Sequence, residues 1–395
     1  MLRHTPFHPR TAPLMEGQAW RRWAGHLVAS SYELTHDREY SAIRNAAALI
    51  DVSPLYKYMV TGRDAARLLD RVVTRDVHKT KVGQVIYTPW CDSEGKTIDD
   101  GTISRLGEQT FRMTAADPSL RWLSMNAVGM EVEVRDVSHQ TAALSIQGPN
   151  ARAILAEAAD GDVAGLKFFR LVECKIRGVP VTISRTGYTG DLGYEIWVDA
   201  DKAVALWDAL VGAGTKYGLL PTGIWALDIA RIEAGLIMME VDYVSAHHAL
   251  IEGQKSSPFE LNLGWAVNLD KGPFVGKKPL IREKQRGSPW QFVGIDVDWV
   301  SLEEQYLEVD LPPRLPTVAW RSSVPLYGEG RQVGYATSGC WSPLLKKYIA
   351  LAHVEAAWSR AGTGLQMEVT VEHRRKQALA HVVALPFFNP ERKRA

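Results

Sequence analysis

Cysteine is scarce in this chain. Only Cys91, Cys174 and Cys340 occur among 395 residues, an odd number without CxxC spacing, so neither a disulfide framework nor a zinc site is suggested. A reducing cytoplasm is the expected location. No apolar run approaches the ~18 residues that a membrane-spanning helix needs, and the N-terminal segment lacks the apolar core of a secretory signal. Arg3 and Arg10 with no acid before Met15 resemble an organelle transit peptide only in part, because serine enrichment is missing. An excess of either charge is also missing: 46 basic and 45 acidic residues leave +1, so no nucleic-acid or membrane partner is expected. The chain has no GxGxxG after a strand, no Walker loop and no HExxH helix. Dinucleotide, S-adenosylmethionine, nucleotide and metal cofactors are therefore not expected. No period of roughly 20 to 50 residues repeats, which excludes a solenoid.

Core-forming material is plentiful. Hydrophobic residues make up 46% and charged residues 23%, enough at this length for two or three buried cores. The segment up to Tyr40 reads as an entry arm with Trp20 and Trp23 available for docking, followed by a short helix over Ala42 to Ala48 and a strand over Tyr58 to Thr61. Leu68, Leu69, Val72 and Val73 share one face of a helix from Ala65 to Val73, with Asp64 placed to cap it. Strands dominate from Val85 to Gln147, and Pro149 is expected at the first position of a helix running to Ala159. Lys167 to Arg177 and Val179 to Arg185 form a hairpin, while Asp201 to Tyr217 and Gly223 to Ala234 are helical. The style changes near Lys284 to Pro289. Short strands follow at 291–297, 317–321, 331–337, 348–353, 366–371 and 378–384, and Ser301 to Pro316 reads as an exposed acidic insertion. The mixture predicts an α+β fold rather than a parallel doubly wound sheet.

Between Trp90 and Gly101 the chain sets Asp99 and Asp100 side by side, after a flexible turn and at the start of a strand. Successive strand residues face opposite sides, so the two acids must diverge. One of them facing a pocket would orient an amine or activate a nucleophile; an acid pair on a hairpin is otherwise solvent decoration. Their company is distinctive. Tyr87, Asp99-Asp100, Gln147-Gly148-Pro149-Asn150, Gly187-Tyr188-Thr189-Gly190, Gly193-Tyr194-Glu195 and Arg231-Ile232-Glu233-Ala234-Gly235 follow in an order that resembles the aminomethyltransferase (glycine cleavage T-protein) superfamily. The likeness runs from about Tyr40 to Phe388, with Thr337-Ser338-Gly339 and Ser342-Pro343 fitting its C-terminal part.

That resemblance implies a multi-domain cloverleaf. Residues 1–285 would form a folate-binding catalytic region of two interleaved α+β subdomains, the second at roughly 52–138, and residues 286–395 a C-terminal β-barrel-like domain. It also implies tetrahydrofolate as cofactor. Glu195 would accept two N–H bonds from the amino-pyrimidine edge of the pterin, although a surface strand carboxylate is its plainer role. Arg231 would lie near the folate, with Asp228 and Glu233 as alternative, structural partners. Tyr87 and Tyr188 would contribute to the same site, Asp99 would lie by N5 and offset its developing charge, Asp100 would be structural, and Trp265 would be core.

Three activities of the superfamily compete for the one-carbon donor. The usual Asp-Val-Ser-His-Met-like run appears here as Asp51 to Tyr58, the expected Gly-Gly is Gly95-Lys96, and Leu236 to His248 replaces a shorter connection. These departures, with Trp-Cys-Asp ahead of the acids, look like the vanillate and syringate O-demethylases and, less closely, dimethylsulfoniopropionate demethylase. The expectation is methyl transfer from a small-molecule O-, S- or N-methyl donor to N5, with no obligatory protein partner. Tyr243 is then the leading candidate to protonate the leaving group. Tyr32, Tyr56, Tyr58, His247 and His248 are candidates to line the substrate side, and Arg112 or Arg121 to hold a substrate carboxylate. The alternatives are the glycine cleavage reaction, which yields 5,10-methylenetetrahydrofolate from a lipoyl carrier, and a non-catalytic folate binder.

Overall fold

In the computed structural model, which describes residues 2–395, strands gather into a three-stranded sheet, a five-stranded sheet, a six-stranded sheet and a closed six-stranded barrel. The architecture is α+β with a C-terminal barrel. The entry arm forms the smallest sheet, in which Arg3–His4 and Trp20–Trp23 flank His26–Ala29. Trp20 and Trp23 are thus half-buried strand residues rather than free docking groups.

The six-stranded sheet orders Leu171–Ile176, Val179–Ser184, Gly193–Asp199, Thr141–Gln147, Ala47–Asp51 and Leu219–Pro221. Both of its faces are covered. Ala47 and Leu49 pack into a core with the helices Ala151–Ala158 and Ala203–Gly214. Ala48 and Ile50 point the other way, into a core shared with the helices Asp37–Asn45 and Ile224–Glu233 and with the barrel. The period of two therefore yields a strand buried at every position. For the same reason the helix expected over Ala42 to Ala48 ends at Asn45, and the apolar run after it joins the sheet.

Strands of the five-stranded sheet run from Tyr56 to Asp136 in the order Val85–Cys91, Thr97–Gly107, Thr110–Ala115, Tyr56–Thr61 and Glu133–Asp136. In the barrel, Trp290–Val297 is followed around the wall by Lys347–Glu355, Arg331–Ser342, Val324–Gly328, Gly364–Val371 and Arg374–Val383. The strand expected at 317–321 provides only the bridge between Trp320 and Gly339, and Val324–Gly328 takes its place in the wall. The start of the supposed insertion belongs to a helix, Trp299–Leu307, capped where the Asp298 carboxylate accepts the Ser301 N–H at 2.7 Å. The Asp64 carboxylate accepts the Glu131 N–H instead of capping its own helix, and the helix expected from Pro149 begins at Ala151 with Asn150 as its cap.

A buried ionic knot ties these parts together. The Glu233 carboxylate accepts bonds from Tyr40 Oη at 2.5 Å, Arg44 Nη2 at 2.6 Å and Ser342 Oγ at 2.5 Å. It joins two helices to the barrel, and the saturated anion orients the helix Ile224–Glu233 that carries Arg231. No helix among the described residues is long and apolar enough to cross a membrane.

Candidate active site

The two acids lie opposite Trp90 and Pro89 on the neighbouring strand, beside an irregularity between Trp90 and Cys91. Their side chains diverge. Asp99 is fully buried: its Oδ1 accepts the Asp100 N–H at 2.7 Å, and its Oδ2 accepts the Ala116 and Asp117 N–H groups at 3.0 Å each. Asp100 accepts the Tyr87 hydroxyl on Oδ2 at 2.7 Å and the Tyr243 hydroxyl on Oδ1 at 2.6 Å. The two acids are therefore bonded otherwise than the expected roles require. Asp99 ties three backbone donors at a strand end, whereas Asp100 is the acid held in the aromatic pocket. Burial pushes the Asp100 carboxyl above its usual range, opposed by the two phenolic donors. Burial and the neighbouring Asp100 charge push both phenols well above theirs, so each remains a neutral donor.

Tyr87, Tyr188, Trp197 and Tyr243 belong to one packed cluster at the junction of the sheets and the barrel. The Tyr188 hydroxyl donates to the Ile237 carbonyl, and the charges acting on it are Arg231, Asp100, Asp242 and Asp228. Arg231 is completely buried. It donates through Nε to Asp228 at 2.9 Å and through Nη1 to Asp242, while Nη2 has no partner. Asp242 also accepts Thr337 Oγ1 at 2.6 Å and Ser338 Oγ at 2.7 Å, locking Arg231 to the barrel. Glu233, the other structural partner considered, pairs with Arg44 instead.

Three separated motifs converge behind Glu195. The Gln147 side chain passes between Gly187 and Gly193, where added β-carbons would stand 2.3 and 2.1 Å from its amide. It also accepts the Thr189 hydroxyl at 2.7 Å. Glu195 Oε2 accepts Thr186 Oγ1 at 2.5 Å, and burial raises its carboxyl against that bond and against the charge of Arg112. Arg112 lies in the middle strand of the five-stranded sheet, opposite Ser104 and Met59, with its guanidinium 4.2 Å from the Trp197 ring centre. Burial pushes its ionisation down to about 10. A lone arginine in the otherwise apolar or hydroxylic strand Thr110–Ala115 was the sequence signal for it.

Other candidates fall elsewhere. Tyr58 is fully buried in the core of the five-stranded sheet, where its hydroxyl accepts the Ser119 N–H at 2.8 Å. Tyr56 lies at the edge of that core. Tyr32 packs with Met15 and Ala29 under the entry arm. His247 is exposed against Trp122, and His248 is exposed between Asp117 and Glu240. Trp265, expected in the core, is 64% exposed and stacks on Tyr87. Among the described residues no three His, Cys, Asp or Glu side chains converge as a metal cage.

A half-buried carboxylate gripped by two phenols, in a cluster with further aromatic rings, sits where two sheets meet a closed barrel. These features define a candidate site for a polar ligand within an α+β scaffold. Residues 8–271 match the GCVT N-terminal domain, and residues 306–389 match the glycine cleavage T-protein C-terminal barrel domain. The chain is 36% identical over 371 residues to the aminomethyltransferase of Halalkalibacterium halodurans, covering 93% of this chain and 92% of that protein. It is 32% identical over 394 residues to that of Desulforamulus reducens, covering 99% of each. The glycine cleavage aminomethyltransferase T of Bartonella henselae superposes with a TM-score of 0.83 at 26% identity, covering 98% of this chain and 99% of that one. The chain belongs to the aminomethyltransferase, or GCVT, family. Enzymes of this family use tetrahydrofolate as the one-carbon acceptor, and tetrahydrofolate-dependent one-carbon transfer is the activity that membership carries.

Membership corrects the expected donor. Relatives that match at 32–36% identity over nearly the whole length are aminomethyltransferases, which overturns the reading of the chain as a methoxyarene demethylase. The geometry also separates its supposed substrate wall, since Tyr58 is core and the two histidines face solvent.

Proposed function

We propose that the chain is a glycine cleavage aminomethyltransferase. It takes the aminomethyl group from the lipoyl arm of a carrier protein, releases ammonia and forms 5,10-methylenetetrahydrofolate. The carrying observation is the grip of Tyr87 and Tyr243 on Asp100, in a chain that matches aminomethyltransferases end to end. Tetrahydrofolate, when bound, supplies two nitrogen nucleophiles. The transferred carbon gains bonds to N5 and N10 and loses its bonds to the amine nitrogen and the sulfur; the two protons displaced from the folate nitrogens end on ammonia and on the freed thiol.

The residues fit such a ligand because the pocket offers both acceptors and unused donors. Asp100 would lie by N5, where it would offset the positive charge that develops and accept the departing proton; burial raises its carboxyl, which strengthens it as a proton acceptor. Tyr87 and Tyr243 hold the carboxylate in one orientation. Glu195 would accept from the amino-pyrimidine edge, Tyr188 and Trp197 would wall the ring, and Arg231, held by Asp228 and Asp242, would have its unpartnered Nη2 left for the ligand. Asp99 shapes the strand end from behind. The division into a catalytic region, 1–285, and a barrel domain, 286–395, belongs to the same reading, as does a requirement for the other glycine cleavage components.

The test is mass spectrometry of folate products after incubating the protein with tetrahydrofolate and an aminomethyl-loaded lipoyl carrier. Equal amounts of 5,10-methylenetetrahydrofolate and ammonia are expected. No methylene product from a carrier that an authentic aminomethyltransferase consumes would remove the proposal.

A further inference from the structure

Arg112 is 5% exposed, and its side chain makes no hydrogen bond to the protein among the described residues. Its Nε and Nη2 are both buried without a partner. These two nitrogens lie on one edge of the guanidinium and form its side-on donor fork. Buried donors are normally satisfied, and an unpaired buried cation is among the costliest groups a fold retains. Packing against Trp197 fixes the plane of the fork without satisfying it. Trp197 and Glu195 are two residues apart on one strand and therefore share a face, which puts an unused donor fork beside an acceptor carboxylate.

We propose that Arg112 is a specificity residue of the acceptor site: it donates to the hydrogen-bond acceptor that flanks the N–H pair taken by Glu195. The inference rests on the assignment of Glu195 to the pterin. A reduced pterin edge alternates donors and acceptors, with N–H groups next to a carbonyl oxygen on one side and a ring nitrogen on the other. One carboxylate and one guanidinium complement that pattern with no net charge. An anionic group would instead meet the Glu195 carboxylate at close range, which disfavours the folate glutamate tail as the partner of Arg112.

The experiment measures tetrahydrofolate and 6-methyltetrahydropterin binding to the full chain by titration, in the wild type and in Arg112→Met, Arg112→Lys and Glu195→Gln. Met removes the buried fork, and Lys keeps the charge without its geometry. Both Arg112 variants are expected to lose about 10- to 100-fold in affinity, by the same factor for the tailless pterin as for tetrahydrofolate. The ligand-free melting temperature of Arg112→Met should stay level or rise, a result that a structural arginine would not give. An Arg112→Met affinity within twofold of wild type overturns the proposal, and so does a loss confined to tetrahydrofolate, which would make Arg112 a tail clamp. Unchanged binding in Glu195→Gln would instead remove the underlying site assignment, separately from Arg112.

Discussion

Tyr243 donates its phenolic hydrogen to Asp100 Oδ1 at 2.6 Å, joining residues 143 positions apart. The contact closes the segment after the helix Ile224–Glu233 over the acid hairpin. With Tyr87 on Oδ2, it leaves the carboxylate no freedom to rotate.

The two neighbouring acids should separate cleanly on mutation. Asp100→Asn keeps the shape of the pocket and removes its charge, so turnover should fall by at least about 100-fold with little change in melting temperature. Asp99→Asn weakens a buried acceptor of three backbone N–H groups and should cost about 2–4 kcal/mol of stability. Urea unfolding and single-turnover kinetics on both variants check this. The opposite pattern would restore Asp99 to the ligand side.

Tyr243→Phe should change how activity depends on pH. Burial raises the Asp100 carboxyl, and the Tyr243 hydroxyl opposes that by stabilising the anion. Without the hydroxyl the carboxyl rises further. The acid limb of kcat/KM should move to higher pH, with a rate loss that is greatest on the acid side and shrinks as pH rises. A loss of equal size at every pH would contradict this role.

Arg44 and Glu233 are both almost wholly buried and pair at 2.6 Å. Arg44→Met leaves the Glu233 anion without its cation and should lower stability by about 3–5 kcal/mol. Tyr40 and Ser342 also meet Glu233, so the barrel and the helix Asp37–Asn45 should loosen together. A single cooperative calorimetric transition at lower temperature is expected, and an unchanged midpoint would show the knot to be dispensable.

Lys57 is buried and donates to the carbonyls of Ser53 at 2.6 Å, Thr141 at 3.0 Å and Ser138 at 3.1 Å. Burial pushes its amine from the ordinary 10.5 down to about 8. Between those values the unfolded chain binds more protons than the folded one, so this group makes stability rise with pH across that window. Lys57→Met should abolish that part of the slope in urea midpoints taken at pH 8 and pH 10. Parallel wild-type and variant curves would rule out the shift.

Much of the architecture was legible because it depends on local pattern. Alternating apolar positions and glycine turns marked most of the barrel strands, and the hairpin 171–184 followed from the same period. The errors cluster where one pattern suits two structures. Ala46 to Ile50 reads equally as helix or as a strand buried on both faces, and only the helices packed on either side of the sheet decide it. Tyr58 is compatible with a substrate wall or a core, and the Ser119 N–H bond placed it in the core.

By itself the sequence determined the α+β class, the ordered motifs that carry family membership, and the small set of acids, tyrosines and arginines from which a site had to be drawn. The tertiary structure decided which of Asp99 and Asp100 meets the two phenols, bound Arg231 to Asp242 and left the fork of Arg112 without a partner. Strand alternation requires adjacent side chains to diverge but does not say which side is the interior. That choice belongs to contacts between residues far apart in the chain, such as Tyr243 with Asp100 and Arg112 with Trp197.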